Sequence, residues 1–251
     1  MKCPTISIVT PTYNREEFLP LIYKSIIHQT TLDWEWIIVD DSDRPSQFIK
    51  SLKNSKINYQ YSPTRISIGE KRNLCSDLAS GEYIAHFDDD EYYAPHYLDS
   101  MVKLLELQSG DILKLSGFFI YSKIYHKFAY WNLLEKTGIH YIWSPEPMVV
   151  GNIEHSNPDL MDNHLGYGFS YIYKRSVSQT IRFEPVSFNE DTLFIKAAMA
   201  IGFKTHLLAD DVGLCIHMLH LNNTSKCFPQ YIIPTPIAKR LFILLPSEIF
   251  N

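Results

Sequence analysis

Short apolar runs alternate with segments of helical periodicity through the first 108 residues. The runs are continuous, as in strands covered on both faces, and they read "TISIVT", "EWIIVD", "INYQYS" and "EYIAHF". Helical patterns lie at Arg15 to Gln29, Ser46 to Asn54, Gly69 to Ser80 and Pro95 to Gln108. This β-α-β series predicts a Rossmann-like α/β fold with a mainly parallel central sheet and helices on both faces.

The pattern is looser from Asp111 onward. Aromatic segments such as "GFFIYSKIYHKFAYW" lead into a loop over residues 144–164, and periodicity returns in "GFSYIYKRSV", "NEDTLFIKAAMAIG" and "KTHLLAD". Gly166 and Gly168 are expected to allow a close backbone approach. Because no repeat or low-complexity linker separates the halves, we expect one continuous domain.

Acidic residues follow the predicted strands directly. Asp88, Asp89, Asp90 and Glu91 are consecutive at the end of the fourth strand, and ligands of parallel α/β sheets bind beyond the carboxyl ends of the strands. Neighbouring carboxylates repel unless a positive group lies near them. The acids therefore predict a site for Mg²⁺ or Mn²⁺, which prefer oxygen ligands, although an acidic run also occurs on solvated surfaces.

Asp40 and Asp41 follow the second strand at the same predicted edge. A carboxylate there can accept hydrogen bonds from a base or from ribose hydroxyls, or it can cap the next turn. We expect both uses, with Asp40 nearer the structural role and Asp41 nearer the ligand.

Composition and charge narrow the range of partners. A chain of 251 residues that is 45% hydrophobic can build a sizeable core. A net charge of −5 without a basic stripe argues against nucleic acid as a partner. Four cysteines without paired spacing indicate free thiols in a reducing compartment, and the N-terminus lacks the pattern of a cleaved secretory signal. We expect a cytoplasmic protein.

The C-terminal stretch "YIIPTPIAKRLFILLPSEIF" is apolar but is interrupted by prolines and by Lys239 and Arg240. Too few uninterrupted apolar residues remain to cross a bilayer. The stretch predicts either a segment packed on the domain or a peripheral contact with a membrane.

Five motifs, taken in order, resemble those of the inverting nucleotide-sugar glycosyltransferases of family 2, which have the GT-A fold. They are "SIVTPTYNR", "WIIVDDSD", "IGEKRNLCSDLASGEYIAHFDDDEYYAPHYL", "FNEDTLFIKAA" and "HLNNTS". The resemblance is dense over Thr5 to Val102, thinner over Asn189 to Ser225, and absent from Phe118 to Leu160. It implies metal-dependent transfer of a sugar from a nucleoside diphosphate, UDP in our prediction, to a hydroxyl of a saccharide or other glycan acceptor, with Mn²⁺ or Mg²⁺ as cofactor.

The resemblance also divides the predicted single domain into functional parts. Residues 1–108 are expected to bind the nucleotide sugar, residues 109–225 to bind the acceptor and to carry catalysis, and residues 226–251 to form a tail. The donor sugar, the acceptor and the linkage are left open, because the resemblance fails over residues 118–164.

For the donor, the resemblance implies that the Pro11, Thr12 and Tyr13 turn and Asp41 hold the base. Arg72 is expected near the base or the phosphates.

The three aspartates after the fourth strand would form the Asp-x-Asp-type motif of the family. Of Asp88, Asp89 and Asp90, the second would face the ribose and the third would bind the metal.

Asp191 would be the catalytic base and His220 a phosphate or metal contact. Leu221 stands where the family has a small residue, which leaves His217 as a substitute for His220.

The implied roles agree with the chemistry of glycosyl transfer. A Lewis acid stabilises the departing diphosphate, and a general base takes the proton of the attacking hydroxyl. Glu190 and Asp191 diverge by about a hundred degrees on a helix, so only one can be that base. Alternatively, both acids only interact with the helix dipole.

Two other functional classes remain open from the sequence. A non-catalytic nucleotide-sugar-binding module would keep the acidic cluster but has no use for Asp191 or a downstream histidine. A metal-dependent nucleotidyltransferase would need a glycine-rich and basic loop near the first strand, which "TPTYNREEF" does not offer.

Overall fold

A computed structural model describes residues 5–31, 33–143, 147–154, 162–221, 223 and 226–245. The strands within these ranges are β1 Ile6–Thr12, β2 Trp34–Asp40, β3 Ile57–Tyr61, β4 Tyr83–His86, β5 Tyr92–Tyr93, β6 Ile112–Ser122, β7 Lys127–Asn132, β8 Gly138–Ile142, β9 Val149–Ile153, β10 Ile172–Lys174, β11 Thr205–Ala209, β12 Cys215–Leu219 and β13 Tyr231–Ile233. The helices are α1 Leu19–Ile27, α2 Gln47–Ser51, α3 Ile68–Leu78, α4 Tyr97–Leu107, α5 Arg175–Thr180, α6 Glu190–Ala200 and α7 Thr235–Leu241. The predicted strands and helices of the first half are confirmed.

The central sheet contains strands from both halves of the chain, in the order β13-β7-β6-β10-β4-β1-β2-β3. Strands β3, β2, β1 and β4 are parallel. The short strand β10 lies antiparallel between β4 and β6, so that β6 again runs parallel to β4. Strands β11 and β12 also pair with β6 in parallel. The prediction of a mainly parallel central sheet is confirmed.

Helices cover both faces of this sheet, as predicted. Because side chains alternate along a strand, Ile8 of β1 packs with α1 and α4, whereas its neighbour Val9 packs with α3, α5 and α6. Both side chains are fully buried. Burial on both faces explains why these strands read as continuous apolar runs.

The carboxyl ends of β1, β2 and β4 lie side by side. Thr12 is in register with Asp40, and the Thr10 hydroxyl donates to the carbonyl of Phe87 at 2.8 Å. The residues that follow these strands are thereby brought to one edge of the sheet.

The segment after β13 packs on the domain as far as residue 245. Ala238, Phe242 and Leu245 are buried against side chains of β5 and β6, which confirms the packed alternative for this part. Residues 246–251, which belong to the predicted membrane contact, lie outside the described residues. In the described part of the chain, no helix is both long and apolar enough to span a bilayer.

Helix α3 begins with a capping box, which fixes the start of a helix that supplies two cations to the sheet edge. The Ser67 hydroxyl accepts from the Glu70 N–H at 3.2 Å, and the Glu70 carboxylate accepts from the Ser67 N–H at 2.8 Å. Two backbone donors that the helix cannot satisfy are therefore paired.

We predict that Ser67→Ala lowers the free energy of unfolding by about 1 kcal/mol. The melting temperature should fall by about 2–4 °C for a chain of this size. Differential scanning calorimetry checks this, with Ser55→Ala as the control at an exposed turn position. Equal melting temperatures for the two variants would show that the cap contributes nothing.

Candidate active site

A cleft of about 900 Å³ opens at the sheet edge where the acidic motifs meet. Most of the residues that the sequence predicts for the site line it: Pro11, Tyr13, Arg72, Asp88, Asp89, Asp90 and Asp191. Asp41 and His220 lie directly behind this lining, in contact with residues that form it. The structure thus gathers all of the predicted site residues around one cleft.

Asp41 lies beneath Arg65 and Lys71, and its side chain is fully buried. Its Oδ1 accepts from Arg65 Nη1 and Lys71 Nζ, each at 2.7 Å, and its Oδ2 accepts from the Ile66 N–H at 2.9 Å. The guanidinium of Arg65 also stacks on Tyr13, with 3.3 Å from Cζ to the ring centroid. The base of a nucleotide can therefore contact Asp41 only if the Arg65 side chain, which is 49% exposed, moves away from it.

Asp40, by contrast, has the structural role that its position predicts. Its carboxylate accepts from the N–H groups of Ser42 and Ser46, at 2.9 and 3.3 Å, and from the Tyr59 hydroxyl at 2.5 Å. These bonds hold the turn that leads from β2 into α2.

Lys71 is a site residue that the sequence reasoning missed. Its ammonium is buried and donates to the carbonyl of Thr12 at 3.0 Å as well as to Asp41. Burial lowers the pKa of Lys71, whereas the bond to Asp41 raises it. Its position beside Arg72 in a short capped helix could have indicated a site residue. Adjacent basic residues usually face solvent, however, so the position alone did not distinguish Lys71.

Arg72 is buried and connects three elements of the site. Its Nε donates to Glu190 at 3.2 Å, and its Nη1 lies 2.7 Å from His86 Nδ1 and 3.3 Å from Asp88 Oδ1. Because a guanidinium only donates, Nδ1 of His86 must accept, and Nε2 then donates to the Tyr173 hydroxyl at 2.9 Å. Burial and the charge of Arg72 lower the pKa of His86 well below its usual value, so this histidine is neutral.

Asp89 faces β1 rather than open solvent. Its Oδ2 accepts from the Thr12 hydroxyl at 2.5 Å. Burial raises the pKa of Asp89 well above its usual range, and the neighbouring Asp90 adds to the rise. Its contact with a ribose stays a prediction.

Asp90 and His220 form a pair at the back of the cleft. Asp90 Oδ2 lies 2.9 Å from His220 Nε2, and Arg15 Nη1 lies 3.6 Å from the same oxygen. Burial by itself would raise the pKa of Asp90, but the bond to His220 and the charge of Arg15 hold this pKa below its usual value. His220 is stacked on Phe18, with 4.9 Å between ring centroids.

The donor atoms of this pair can hold a divalent cation only if Arg15, whose Nη1 lies 3.1 Å from His220 Nε2 and 3.6 Å from Asp90 Oδ2, moves away from them. One carboxylate oxygen and one imidazole nitrogen are adjacent. Within the described ranges, no three side chains of His, Cys, Asp or Glu converge on a common metal position. Such a set suits an ion that keeps waters and takes phosphate oxygens, and the nitrogen favours Mn²⁺ over Mg²⁺.

His217, the alternative to His220, belongs to a separate buried pair. Its Nδ1 lies 2.5 Å from Glu91 Oε1, and the other Glu91 oxygen accepts from the Met218 N–H at 2.7 Å. The ring is stacked on Phe169, with 5.4 Å between centroids. Burial raises the pKa of Glu91 to about 7. Asp90 is paired with His220, whereas His217 lines the cleft, so the choice between the two histidines stays a prediction.

Glu190 and Asp191 diverge from the start of α6, as their spacing predicts. Glu190 is turned inward to Arg72 and is buried. Asp191 lines the cleft, and its Oδ2 accepts from the Gly168 N–H at 2.8 Å. Among the described bonds, Arg72 pairs with Glu190 and not with Asp191. Asp191 is therefore the better placed of the two acids to accept a proton from a ligand.

The close backbone approach expected at Gly166 and Gly168 is made to Asp191 and its helix. A Cβ at Gly168 would lie 3.0 Å from Asp191 Cβ and 3.2 Å from Arg72 Nη2. A Cβ at Gly166 would lie 3.0 Å from the Thr192 hydroxyl. These glycines let the backbone reach the Asp191 carboxylate.

The comparisons with known proteins identify the family of the chain. The model of the family described as glycosyl transferase family 2 matches residues 7–183. AmsB of Erwinia amylovora, an amylovoran biosynthesis glycosyltransferase, is 27% identical over 226 residues, which are 85% of this chain and 70% of AmsB. WfgD of Escherichia coli, named as a UDP-Glc:alpha-D-GlcNAc-diphosphoundecaprenol beta-1,3-glucosyltransferase, is 26% identical over 40% of this chain and 40% of its own length.

Several relatives are matched over a smaller share of their length. WcaA of Escherichia coli, a glycosyl transferase assigned to colanic acid biosynthesis, is 35% identical over 99 residues, which are 38% of this chain and 36% of WcaA. The matched stretch covers 34% and 44% of two glycosyltransferases of Haemophilus influenzae. The chain thus spans less than half of the length of these relatives.

Solved structures share the fold at low sequence identity. The crystal structure of S. aureus TarS 1-349 in complex with UDP-GlcNAc superposes with a TM-score of 0.60 and 18% identity, covering 87% of this chain and 60% of that one. The mannosyltransferase PcManGT from Pyrobaculum calidifontis, in complex with GDP-Man and Mn²⁺, gives 0.59 and 16%, covering 86% and 57%. Since the family model covers well over half of the chain, this protein belongs to glycosyl transferase family 2.

Proposed function

We propose that this protein is a metal-dependent inverting glycosyltransferase that moves a sugar from UDP to a hydroxyl of a glycan acceptor. One observation carries the proposal: a single cleft is lined both by the acidic run Asp88 to Asp90, at the end of β4, and by the Asp191 carboxylate, at the start of α6. The first group can hold a metal diphosphate and the second can take a proton. A binding module would need only the first.

The contacts of Arg65 indicate which kind of base the cleft would take. Its guanidinium is planar, stacks on Tyr13 and donates an N–H to the Asp41 carboxylate. Uracil and guanine have the same two features, a flat face and a ring N–H, whereas the pairing edges of cytosine and adenine have no ring N–H. We propose that the base of the donor takes the place of the Arg65 side chain. We choose uracil of the two because WfgD is named for UDP-Glc and TarS 1-349 was solved with UDP-GlcNAc.

The diphosphate would lie against Asp90 and His220. A divalent cation bound there would supply Lewis-acid stabilisation to the departing diphosphate. Asp90, held ionised by its neighbours, and the adjacent imidazole of His220 are the side chains that would bind that cation. Arg15, which lies near both, would turn towards the diphosphate when the cation takes its place beside them.

Asp191 would take the proton of the acceptor hydroxyl. Its Oδ2 is oriented by the Gly168 N–H, and the carboxylate lies in the cleft wall contributed by the second half of the chain. A base that activates the acceptor on the face opposite the leaving diphosphate gives inversion at the anomeric carbon. The reaction has one displacement and needs no covalent intermediate.

The acceptor would be a saccharide, in the assembly of a polysaccharide. The names of AmsB and WcaA place those relatives in the biosynthesis of amylovoran and colanic acid. The cleft lining includes Tyr167, a partly exposed residue, whose ring can pack against the apolar face of a sugar.

The first test is a panel of nucleotide sugars incubated with the protein and Mn²⁺, with released nucleotide as the readout. Slow hydrolysis of one UDP-sugar above the rate without protein supports the proposal. UDP-sugar binding without any release of UDP, with or without saccharide acceptors, would favour the binding module. Release of pyrophosphate from a nucleoside triphosphate would favour a nucleotidyltransferase.

We predict that Asp90→Ala removes the gain in UDP affinity that Mn²⁺ provides, because a ligand of the bridging cation is lost. Isothermal titration calorimetry of UDP with and without Mn²⁺ measures this gain. Asp99→Ala, which removes an exposed carboxylate on α4, is the control and should keep the gain. If Asp90→Ala also keeps it, Asp90 does not bind the metal.

We predict that Asp41→Asn weakens UMP binding in the absence of metal by about five- to tenfold, because the neutral amide oxygen of Asn accepts the hydrogen bond of the base more weakly than a carboxylate does. Asn preserves the shape under Lys71, and thermal unfolding confirms that the variant is folded. Asp43→Asn removes a nearby carboxylate that bonds to Asn14 and should bind UMP as the parent does. Equal UMP affinity in the two variants would place base recognition elsewhere.

We predict that Asp191→Asn leaves UDP affinity within about twofold and lowers turnover by roughly a hundred- to ten-thousandfold, as expected for a lost general base. The Asn side chain still accepts from the Gly168 N–H, so the cleft keeps its shape. Asp162→Asn, at a half-exposed cleft position, is the control. Turnover near that of the parent would exclude Asp191 as the base.

A further inference from the structure

A segment of the cleft wall, residues 164–170, is held from beneath by side chains of the sheet. Lys114 of β6 donates from Nζ to the carbonyls of His164 and Gly166, each at 2.6 Å. The hydroxyl of Tyr171 donates to the carbonyl between them, that of Leu165. Three consecutive carbonyls of the wall segment are thereby bound by two buried side chains.

The wall segment leads directly to the Asp191 carboxylate. After Gly166 the chain turns at Tyr167, which has the left-handed φ of 61°, and the next N–H, that of Gly168, donates to Asp191 Oδ2 at 2.8 Å. Glycine is required at 168 because a Cβ there would lie 3.0 Å from Asp191 Cβ. The position of this amide, and with it the direction of the carboxylate, follows from where residues 164–166 are held.

Lys114 lies at a position where burial makes a charged side chain energetically unfavourable. It is fully buried, and an ammonium without water is costly unless its donors are paired. Burial lowers the pKa of Lys114 to about 7, while the charge of Asp191 raises it. An apolar side chain would fill the same space without this cost, so the contribution of lysine lies in the carbonyls that it binds.

We propose that Lys114 is a positioning residue for glycosyl transfer: by binding the carbonyls of His164 and Gly166 it fixes the Gly168 amide, which directs the Asp191 carboxylate into the cleft. The inference rests on the proposed function, in which Asp191 is the base. It is separate from donor binding, because the hydrogen bonds described for Lys114 go to His164 and Gly166 and not to residues proposed to hold UDP or the metal.

The test compares Lys114→Met with the parent and with Lys196→Met. Lys196 makes an exposed ion pair with Asp162, two residues before the wall segment, so the control removes the same charge from the same neighbourhood. Three quantities are measured: UDP affinity, turnover of the UDP-sugar, and hydrogen exchange of the Gly168 amide in protein labelled with ¹⁵N-glycine, which carries only ten glycine signals.

For Lys114→Met we expect UDP affinity within about twofold of that of the parent and faster hydrogen exchange at the Gly168 amide. Turnover should be lower by on the order of a hundredfold, because a misplaced reacting group slows the reaction by about that factor. Lys196→Met should leave all three near the parent values. A residue that only stabilises the fold would lower the melting temperature without separating turnover from UDP affinity. Parental turnover and parental Gly168 exchange in folded Lys114→Met would overturn the proposal.

Tyr171→Phe provides a second variant if Lys114→Met does not fold. It removes only a hydroxyl and only the bond to Leu165, and it should accelerate Gly168 exchange and lower turnover by a smaller factor. Parental values of both would count against the proposal. If the parent itself transfers no sugar, the proposed function fails, while the exchange measurement still shows whether Lys114 orders the Gly168 amide.

Discussion

A single buried guanidinium, that of Arg72 on α3, connects two segments that line the cleft, the end of β4 and the start of α6. It donates to Asp88 at the end of β4, to Glu190 at the start of α6, and to the neutral His86 within the sheet. A buried cation is stable only when its donors are paired, and the loss of one partner from such a pair costs roughly 3–5 kcal/mol. The acidic run and the helix that carries Asp191 are therefore held in a fixed relation by one charge.

This arrangement also explains how adjacent acids can have different roles. Arg72 binds Glu190 and leaves Asp191 on the cleft side, and it binds Asp88 while Asp90 pairs with His220. The environment thus distinguishes chemically equal carboxylates: Glu190 is buried against Arg72, whereas Asp191 lines the cleft. The proposed role of Lys114 is similar to that of Arg72. Lys114 holds the wall segment in place through its backbone carbonyls and does not contact the substrate.

The sequence predicted the first half of the fold well because strands buried on both faces and amphipathic helices have strong periodic signals. The edge of the sheet, and with it Asp41, Asp88, Asp90 and Asp191, followed from the rule that ligands bind beyond parallel strands and from the family resemblance. The second half was less predictable. Strand β6 is buried along its whole length, but it changes partners from β10 and β11 to β7 and β12, and no local pattern encodes such a change.

Contacts between distant segments were the other features that the sequence could not supply. Lys71 and Lys114 are buried lysines whose partners lie 30 and about 50 residues away, and lysine in a sequence normally indicates exposure. Arg65 covers Asp41 through a loop without a motif. The assignment of Arg72 to the base or phosphates came from the resemblance, whereas its bonds to Glu190 and His86 become visible only in three dimensions.

The central claim is that a hydroxyl activated by Asp191 attacks the donor sugar from the face opposite the metal-bound diphosphate. Time-resolved ¹H NMR of the UDP-α-sugar that the protein hydrolyses in the presence of Mn²⁺ tests it most directly. The account predicts that the sugar first appears as the β anomer and mutarotates afterwards, and that Asp191→Asn abolishes its appearance while UDP still binds. A first product with the α configuration, or an undiminished rate in Asp191→Asn, would contradict the account.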